Sequence, residues 1–287
     1  MAIAAKEVKR AEDRRAQRPQ DKRSRRTEGK DTPPGEGGDG LLIEPTLEKL
    51  RAMRLTAMAE AFLEQQKNPD RNELAFEERF GLLVDAEHLA RENKRRDRYL
   101  KEAKLRLSRA CPEDIDYAAG RGLDKTMMRR LATCRWVADH HNVVVTGATG
   151  TGKTYISCAL AQQACRMGYR VLYRRASRLF DEMLLARADG TYARMLARFA
   201  RMDVLVIDDW ALAPLREHNR HDLLEVLEDR TENHSTVMTS QLPPGRWHEQ
   251  IGDPTLADAI LDRILHNAYK IVLKGSSMRK EATSQTG

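Results

Sequence analysis

Aromatic side chains are scarce in this chain, 5% of 287 residues, and its most basic stretch, 91–109, holds only Tyr99. Binding single-stranded nucleic acid by stacking needs aromatic platforms, so neither base stacking nor sequence readout is expected from that stretch. Cysteine is sparse too. Cys111, Cys134, Cys158 and Cys165 show no CxxC spacing and no histidine at zinc-finger distance, which argues against structural zinc and dithiol redox chemistry. Cys158 and Cys165, seven apart, read as small buried hydrophobes on one helix. No run of about 18 apolar residues offers a membrane span. The first residues lack the apolar core of a signal peptide, so a cytoplasmic protein is expected.

Positive charge is what the chain has in excess. Lys and Arg number 50 against 43 Asp and Glu, a formal net charge of +7, which favours a polyanionic partner. Residues 1–30 carry eleven Lys/Arg against five acids with almost no apolar residue, too little to build a core. A Pro/Gly linker follows, Thr32 to Gly40, and a disordered basic tail over 1–40 is expected.

Residues 41–110 read as a helical N-terminal domain. Pro45 suits a first helical turn, and Leu47, Leu50, Met53, Leu55, Met58, Ala61 and Phe62 follow with helical spacing. Asn72 is placed to cap a second, longer helix carrying Leu74, Phe76, Phe80, Leu83, Ala86 and Leu89. Its continuation holds nine basic residues against three acids over 91–109. Arg91, Lys94, Arg95, Arg96, Arg98, Lys101 and Lys104 are therefore candidates for contact with DNA phosphates, each neutralised phosphate releasing counterions. The plainer alternative is a solvated, ion-paired helix face.

Residues 111–287 alternate strand and helix signals. Val143-Val144-Val145, Arg170–Tyr173, Val204–Ile207, Ser235–Thr239 and Tyr269–Leu273 read as strands, and Ser177 as the cap of the helix after the second. Such alternation implies βαβ crossovers and a parallel sheet covered by helices. At the first strand the chain runs Gly147-Ala148-Thr149-Gly150-Thr151-Gly152-Lys153-Thr154, the spacing of a P-loop. Its glycines allow positive φ and bring bare backbone to phosphate oxygens. The following helix N-terminus adds its dipole, Lys153 reaches the terminal phosphates, and the Thr154 hydroxyl suits Mg²⁺.

The strand Val204–Ile207 ends in Asp208-Asp209, about 55 residues after Lys153. In a parallel sheet the ligand lies beyond the carboxyl ends of the strands, so both acids should share an edge with the P-loop. There Asp208 would hold Mg²⁺ and Asp209 would orient or deprotonate the attacking water. Thr239-Ser240-Gln241, at the end of the next strand, could detect the γ-phosphate of ATP, with Ser240 and Gln241 both open candidates. Arg263 and Arg279 could offset charge that develops during transfer.

These motifs, with Thr239-Ser240-Gln241-Leu242-Pro243, Trp247-His248-Glu249, the stretch from Ile251 to Arg263, and Lys274 to Lys280, resemble the IstB-like transposition helper ATPases of bacterial insertion sequences. The likeness covers about 42–281 and implies a P-loop AAA+ ATPase domain after a small all-α domain, related to bacterial helicase loaders. Such proteins assemble on duplex DNA in an ATP-dependent way, bend it, and recruit and stimulate a partner transposase. By motif, Arg263 resembles an arginine finger acting on a neighbouring subunit's ATP, and Arg279 a second γ-phosphate sensor. Asp209 departs from the commonest AAA+ pattern, in which many members have glutamate. Its side chain is one methylene shorter, so slow hydrolysis is expected. The alternative function is helicase loading in DNA replication.

Overall fold

The computed structural model describes residues 40–68, 73–117, 120–275 and 277–278. All but the last residue of the expected tail 1–40, together with Asn72 and Arg279, lies outside the described residues. Contacts divide the chain into two compact units, Met1–Arg54 and Leu55–Gly287. The described part of the first is α1 (Gly40–Ala52), which opens five residues before Pro45 and holds that proline inside it, at the cost of the N–H bond to the carbonyl four residues back. The single helix expected through Phe62 is interrupted, with Arg54 at φ 60° and α2 (Thr56–Lys67) starting beyond it. Met53 and Leu55, two apart, cannot share one helix face, and the helical pattern restarts between them.

In the second unit α2 packs on α3 (Phe76–Ala103). Gln65 Nε2 donates to Arg79 O at 2.8 Å and Met58 N donates to Glu87 Oε2 at 3.1 Å. The basic stretch 91–109 is helical only through Ala103. Lys104 caps α3 in the left-handed region at φ 52°, so Lys104, Arg106 and Arg109 ride on a loop, which carries the chain toward the buried Ala110. A 3₁₀ turn (Pro112–Asp114), α4 (Lys125–Ala132) and α5 (Arg135–Ala138) lead to the sheet.

Five strands alternate with helices: β1 (Asn142–Gly147), α6 (Lys153–Arg166), β2 (Val171–Arg175), α7 (Ala176–Ala188), α8 (Tyr192–Ala200), β3 (Val204–Trp210), α9 (Glu217–Arg230), β4 (Ser235–Ser240), α10 (Trp247–Ile251), α11 (Pro254–Leu265) and β5 (Ala268–Leu273). Ser177 falls inside α7 rather than capping it, because the helix follows β2 without a gap. The pairings are all parallel in the order β2-β3-β4-β1-β5. The parallel sheet flanked by helices is therefore as expected.

Its strands are apolar on both faces, and the period of two divides them. Val143, Val145, Val204 and Val206 join a core with Ile156, Leu160, Cys158 and Cys165 of α6. Val144, Leu205 and Ile207 face a second core with α7 to α11. Each such buried aliphatic side chain contributes about 1.5–3 kcal/mol. Burial raises the Cys158 thiol to about 11 and that of Cys165 to about 12. Among the described residues no helix is long and apolar enough to cross a membrane.

Candidate nucleotide site

β1 is buried between β4 and β5, and it ends in the Gly147–Thr154 loop at the N-terminus of α6. Gly150 and Gly152 take φ of 85° and 96°, conformations that other residues rarely adopt. A Cβ on Gly152 would lie 2.7 Å from Arg121 Nη1, and one on Gly150 would strike the Ser277 hydroxyl. The loop is thus flanked by two distant segments, whose Arg121 and Met278 also line the cavity over it. Met278 N donates to Gly150 O at 3.1 Å, which sets the residue before Arg279 against the loop. The Lys153 ammonium is buried and donates to the carbonyls of Gly147 and Ala148, each at 2.8 Å. A cavity of about 580 Å³ opens over the loop, lined by Thr149, Gly150, Gly152, Lys153 and Thr154 together with Tyr155, Asp209 and Gln241.

Strand alternation decides where the acids point. Asp208 continues the Val204–Val206 row and so faces α6. There it is fully buried, and accepts from Thr154 Oγ1 at 3.0 Å, Tyr173 Oη at 2.6 Å and Thr239 Oγ1 at 2.5 Å. Burial, then the bond to Asp208, drives the Tyr173 phenol well above its ordinary range, so Tyr173 remains a donor at any physiological pH. Asp209 leaves the β conformation, with φ 58°, where the β3–β4 register shifts between Ile207 and Trp210. That break turns its side chain to the cavity instead of the opposite core. Arg175 Nη2 donates to Asp209 Oδ2 at 3.0 Å, and Arg106 Nη1 lies 3.8 Å from Asp209 and 3.9 Å from Asp208.

The two sensor candidates separate clearly. The Ser240 hydroxyl is buried and donates to Trp210 O at 2.9 Å, which turns it away from the loop. Gln241 Oε1 accepts from Thr149 Oγ1 at 2.9 Å, so it is Gln241 that reaches the cradle. Thr239, one residue further back, holds Asp208 and also accepts from Asp209 N at 3.0 Å. Arg263 is not part of the cavity. It sits on α11 at the amino ends of the strands, where Asn142 Nδ2 donates to Arg263 O at 2.9 Å and Arg263 Nη2 pairs with Glu228 at 2.9 Å. The length of β1, about 17 Å at 3.3 Å per residue, separates that edge from the cradle.

Of the expected DNA contacts, Arg91, Lys94, Arg95, Arg96, Arg98 and Lys101 are exposed on α3, while Lys104 is exposed at its cap. Several are answered locally: Arg91 by Glu87 at 2.8 Å, Arg95 by Glu92 at 3.2 Å, Arg98 by Glu102 at 3.9 Å. Three residues at the site carried no motif in the sequence. Tyr173 and Arg175 close β2, and the rule that ligands lie beyond the carboxyl ends of parallel strands would have singled them out. Arg121, buried, with Nη2 donating to Asp116 O and Nη1 to Thr151 O at 3.4 Å, has no local signal.

The residues present fit Mg²⁺ and a nucleotide. Gly150 and Gly152 hold the positive φ that bares loop backbone to phosphate oxygens, and Thr154 and Asp208 set hard oxygen donors side by side. Among the described residues no group of three or more His, Cys, Asp and Glu converges. Such a sparse donor set matches Mg²⁺, which is usually held by one or two carboxylates with waters and phosphates completing its shell.

Comparison with known proteins agrees on the nucleotide. Residues 48–286 match the family described as IstB-like ATP binding protein. The insertion-sequence ATP-binding protein y4pL of Sinorhizobium fredii is 47% identical over 240 residues, covering 84% of this chain and 98% of the relative. The ATP-binding protein of insertion sequence IS1162 from Pseudomonas fluorescens is 47% identical over 203 residues, covering 71% and 88%. Among solved structures, DnaI superposes with a TM-score of 0.50 at 25% identity, over 59% of this chain and 90% of that one. The AAA+ fold expected from the resemblance is borne out.

Proposed function

The chain belongs to the IstB-like ATP-binding proteins of insertion sequences, and from that premise we propose that it is a Mg²⁺-dependent ATPase that oligomerises on duplex DNA, remodels it and recruits a partner transposase for transposition. The observation that carries the ATPase part is the meeting of Lys153, Thr154, Asp208 and Asp209 at one sheet edge. Bound Mg²⁺ would neutralise phosphate charge there. Thr154 and Asp208 would hold it, with Tyr173 and Thr239 keeping the Asp208 carboxylate in place. Lys153 would exchange its two loop carbonyls for the terminal phosphates. Asp209, presented to the cavity by its left-handed backbone, would take a hydrogen bond from the attacking water, and Gln241 would contact the γ-phosphate. Arg263, at the far edge of its own sheet, would complete the site of the next subunit, which supports hydrolysis by the assembly rather than by the monomer.

The test is binding of duplex DNA of unrelated sequences with and without a non-hydrolysable ATP analogue, over a range of salt. Binding that needs the analogue, falls steeply with salt and ignores sequence is expected, with larger oligomers forming on the DNA. Nucleotide-independent binding or strong preference for single strands would refute it. Capture of a replicative helicase instead of a transposase would favour helicase loading.

A further inference from the structure

The cavity over the P-loop has a neighbour. Between the cap of α3 and the first turn of α7 lies a second recess of about 360 Å³. It gathers five cations, Lys104, Arg106, Arg174, Arg175 and Arg178, with the single acid Glu182. Glu182 is already taken by Arg174 Nε at 2.8 Å. Lys104 and Arg178 form no ion pair with any described residue. Arg175 is answered by Asp209 and Arg106 lies near both site acids, so Lys104 and Arg178 are the two charges of the recess without an acid among the described residues. Such charges raise the energy of the folded chain unless an anion neutralises them, and the planar fork of arginine matches phosphate oxygens.

A row of charge leads to this recess. Lys94, Arg98 and Lys101 are exposed on α3, spaced four and three residues apart and hence on one helix face, and Lys104 continues the row past its end. A free anion would need only the recess, whereas a phosphodiester chain presents charge repeatedly along its length. Tyr99, the one aromatic of the basic stretch, packs against the core with the Arg98 guanidinium 5.3 Å from its ring centre, so the row offers no stacking platform and the surface suits backbone and not bases.

Arg106 lines both recesses. Its distances of 3.8 and 3.9 Å to Asp209 and Asp208 exceed hydrogen-bond length, and its side chain is 40% exposed on a loop. Unlike Arg175, bonded to Asp209 at 3.0 Å, it can be redirected at small cost. We propose that the recess binds a backbone phosphate of DNA and that Arg106, drawn toward that phosphate, takes its positive charge away from Asp209, which leaves that carboxylate a stronger acceptor for water. The inference rests on the proposed reading of the chain as a DNA-binding ATPase, and makes DNA a stimulator of hydrolysis within each subunit.

The full-length protein tests it, by fluorescence anisotropy of a labelled duplex across a salt series and by ATP turnover with and without duplex. Arg178→Ala should weaken duplex binding about fivefold to tenfold and reduce the slope of log affinity against log salt by about 0.9, the value for one lost phosphate contact. Its turnover without DNA and its ATP affinity should match wild type, and Arg178→Lys should restore most of the binding. Arg106→Ala should raise turnover without DNA and shrink the stimulation by duplex. Wild-type affinity and slope in Arg178→Ala would overturn the proposal, as would protection of the recess by inorganic phosphate with an unchanged DNA slope. A wild-type chain that neither binds duplex nor hydrolyses ATP would remove the functional reading itself; wild-type activity with indifferent variants would remove only the recess.

Discussion

The two ends of the sheet use the same kinds of side chain for opposite purposes. At the amino ends, polar groups are buried and answered. Asn142 Nδ2 donates to the carbonyls of Arg263 and Ile264 while its Oδ1 accepts from Thr236 N at 2.8 Å. Arg230, 1% exposed, spends its guanidinium on the carbonyls of Phe199, Met202 and Ser235. At the carboxyl ends, Lys153, Thr154, Asp208 and Asp209 converge beside a cavity and are held by neighbours that a ligand could displace. Burial with full satisfaction builds a frame; charge gathered at an opening builds a site. Arg263 breaks the pattern, since it belongs to the frame by its backbone and yet carries a partly exposed charge.

Arg263 therefore carries the largest expected effect. If Arg263 serves a neighbouring subunit, Arg263→Ala should lower turnover of the DNA-bound assembly by about 10³ to 10⁵, the range seen for arginine fingers, with ATP affinity near wild type. Steady-state hydrolysis beside nucleotide binding measures both, and unchanged turnover would return Arg263 to the frame. Next in size, Lys153→Ala and Asp208→Asn should each cost about 10² to 10³ in turnover, as loss of a group that stabilises transferred charge does. Lys153→Ala should also lose ATP binding in an equilibrium assay, which separates the site edge from the frame edge.

A smaller effect sharpens the amino edge. Asn142→Ala leaves the Thr236 N–H without its partner inside the fold, a loss of about 1–3 kcal/mol, readable as an earlier denaturant midpoint with ATP affinity unchanged. Smallest is Glu228→Gln. Its pair with Arg263 is 50% exposed on the acid side, and exposed pairs contribute about 0.2–1 kcal/mol. Releasing Arg263 should therefore raise turnover of the assembly only about 1.4- to 5-fold. A fall in turnover would mean that Glu228 positions the finger and does not restrain it.

Legibility from sequence followed the distance over which each feature is encoded. The strands were visible as β-branched runs such as Val143–Val145 and Val204–Ile207, because burial on both faces demands apolar residues without alternation. The loop Gly147–Thr154 was visible because one short segment supplies its whole geometry. The break at Arg54 was obscured by an apolar series that looks continuous until the two-residue step from Met53 to Leu55 is weighed. Lys104, Arg106 and Arg109 read as one basic helix with their neighbours, because composition is blind to the left-handed cap at Lys104.

By itself the sequence determined that phosphates are bound by a P-loop on a parallel sheet, with two acids at the end of another strand, since those features depend on local spacing and strand alternation. Only the tertiary structure decided which groups surround them. It turned Gln241 toward the loop and Ser240 away, brought Arg175 and Arg106 to Asp209, set Arg121 and Ser277 against the glycines, and put Arg263 at the opposite edge. Each of those contacts joins segments about 30 to 130 residues apart, and with 50 basic residues in the chain no single arginine announces its partner. What selects it is packing: the buried sheet fixes where strand ends emerge, and the charges that emerge together make the site.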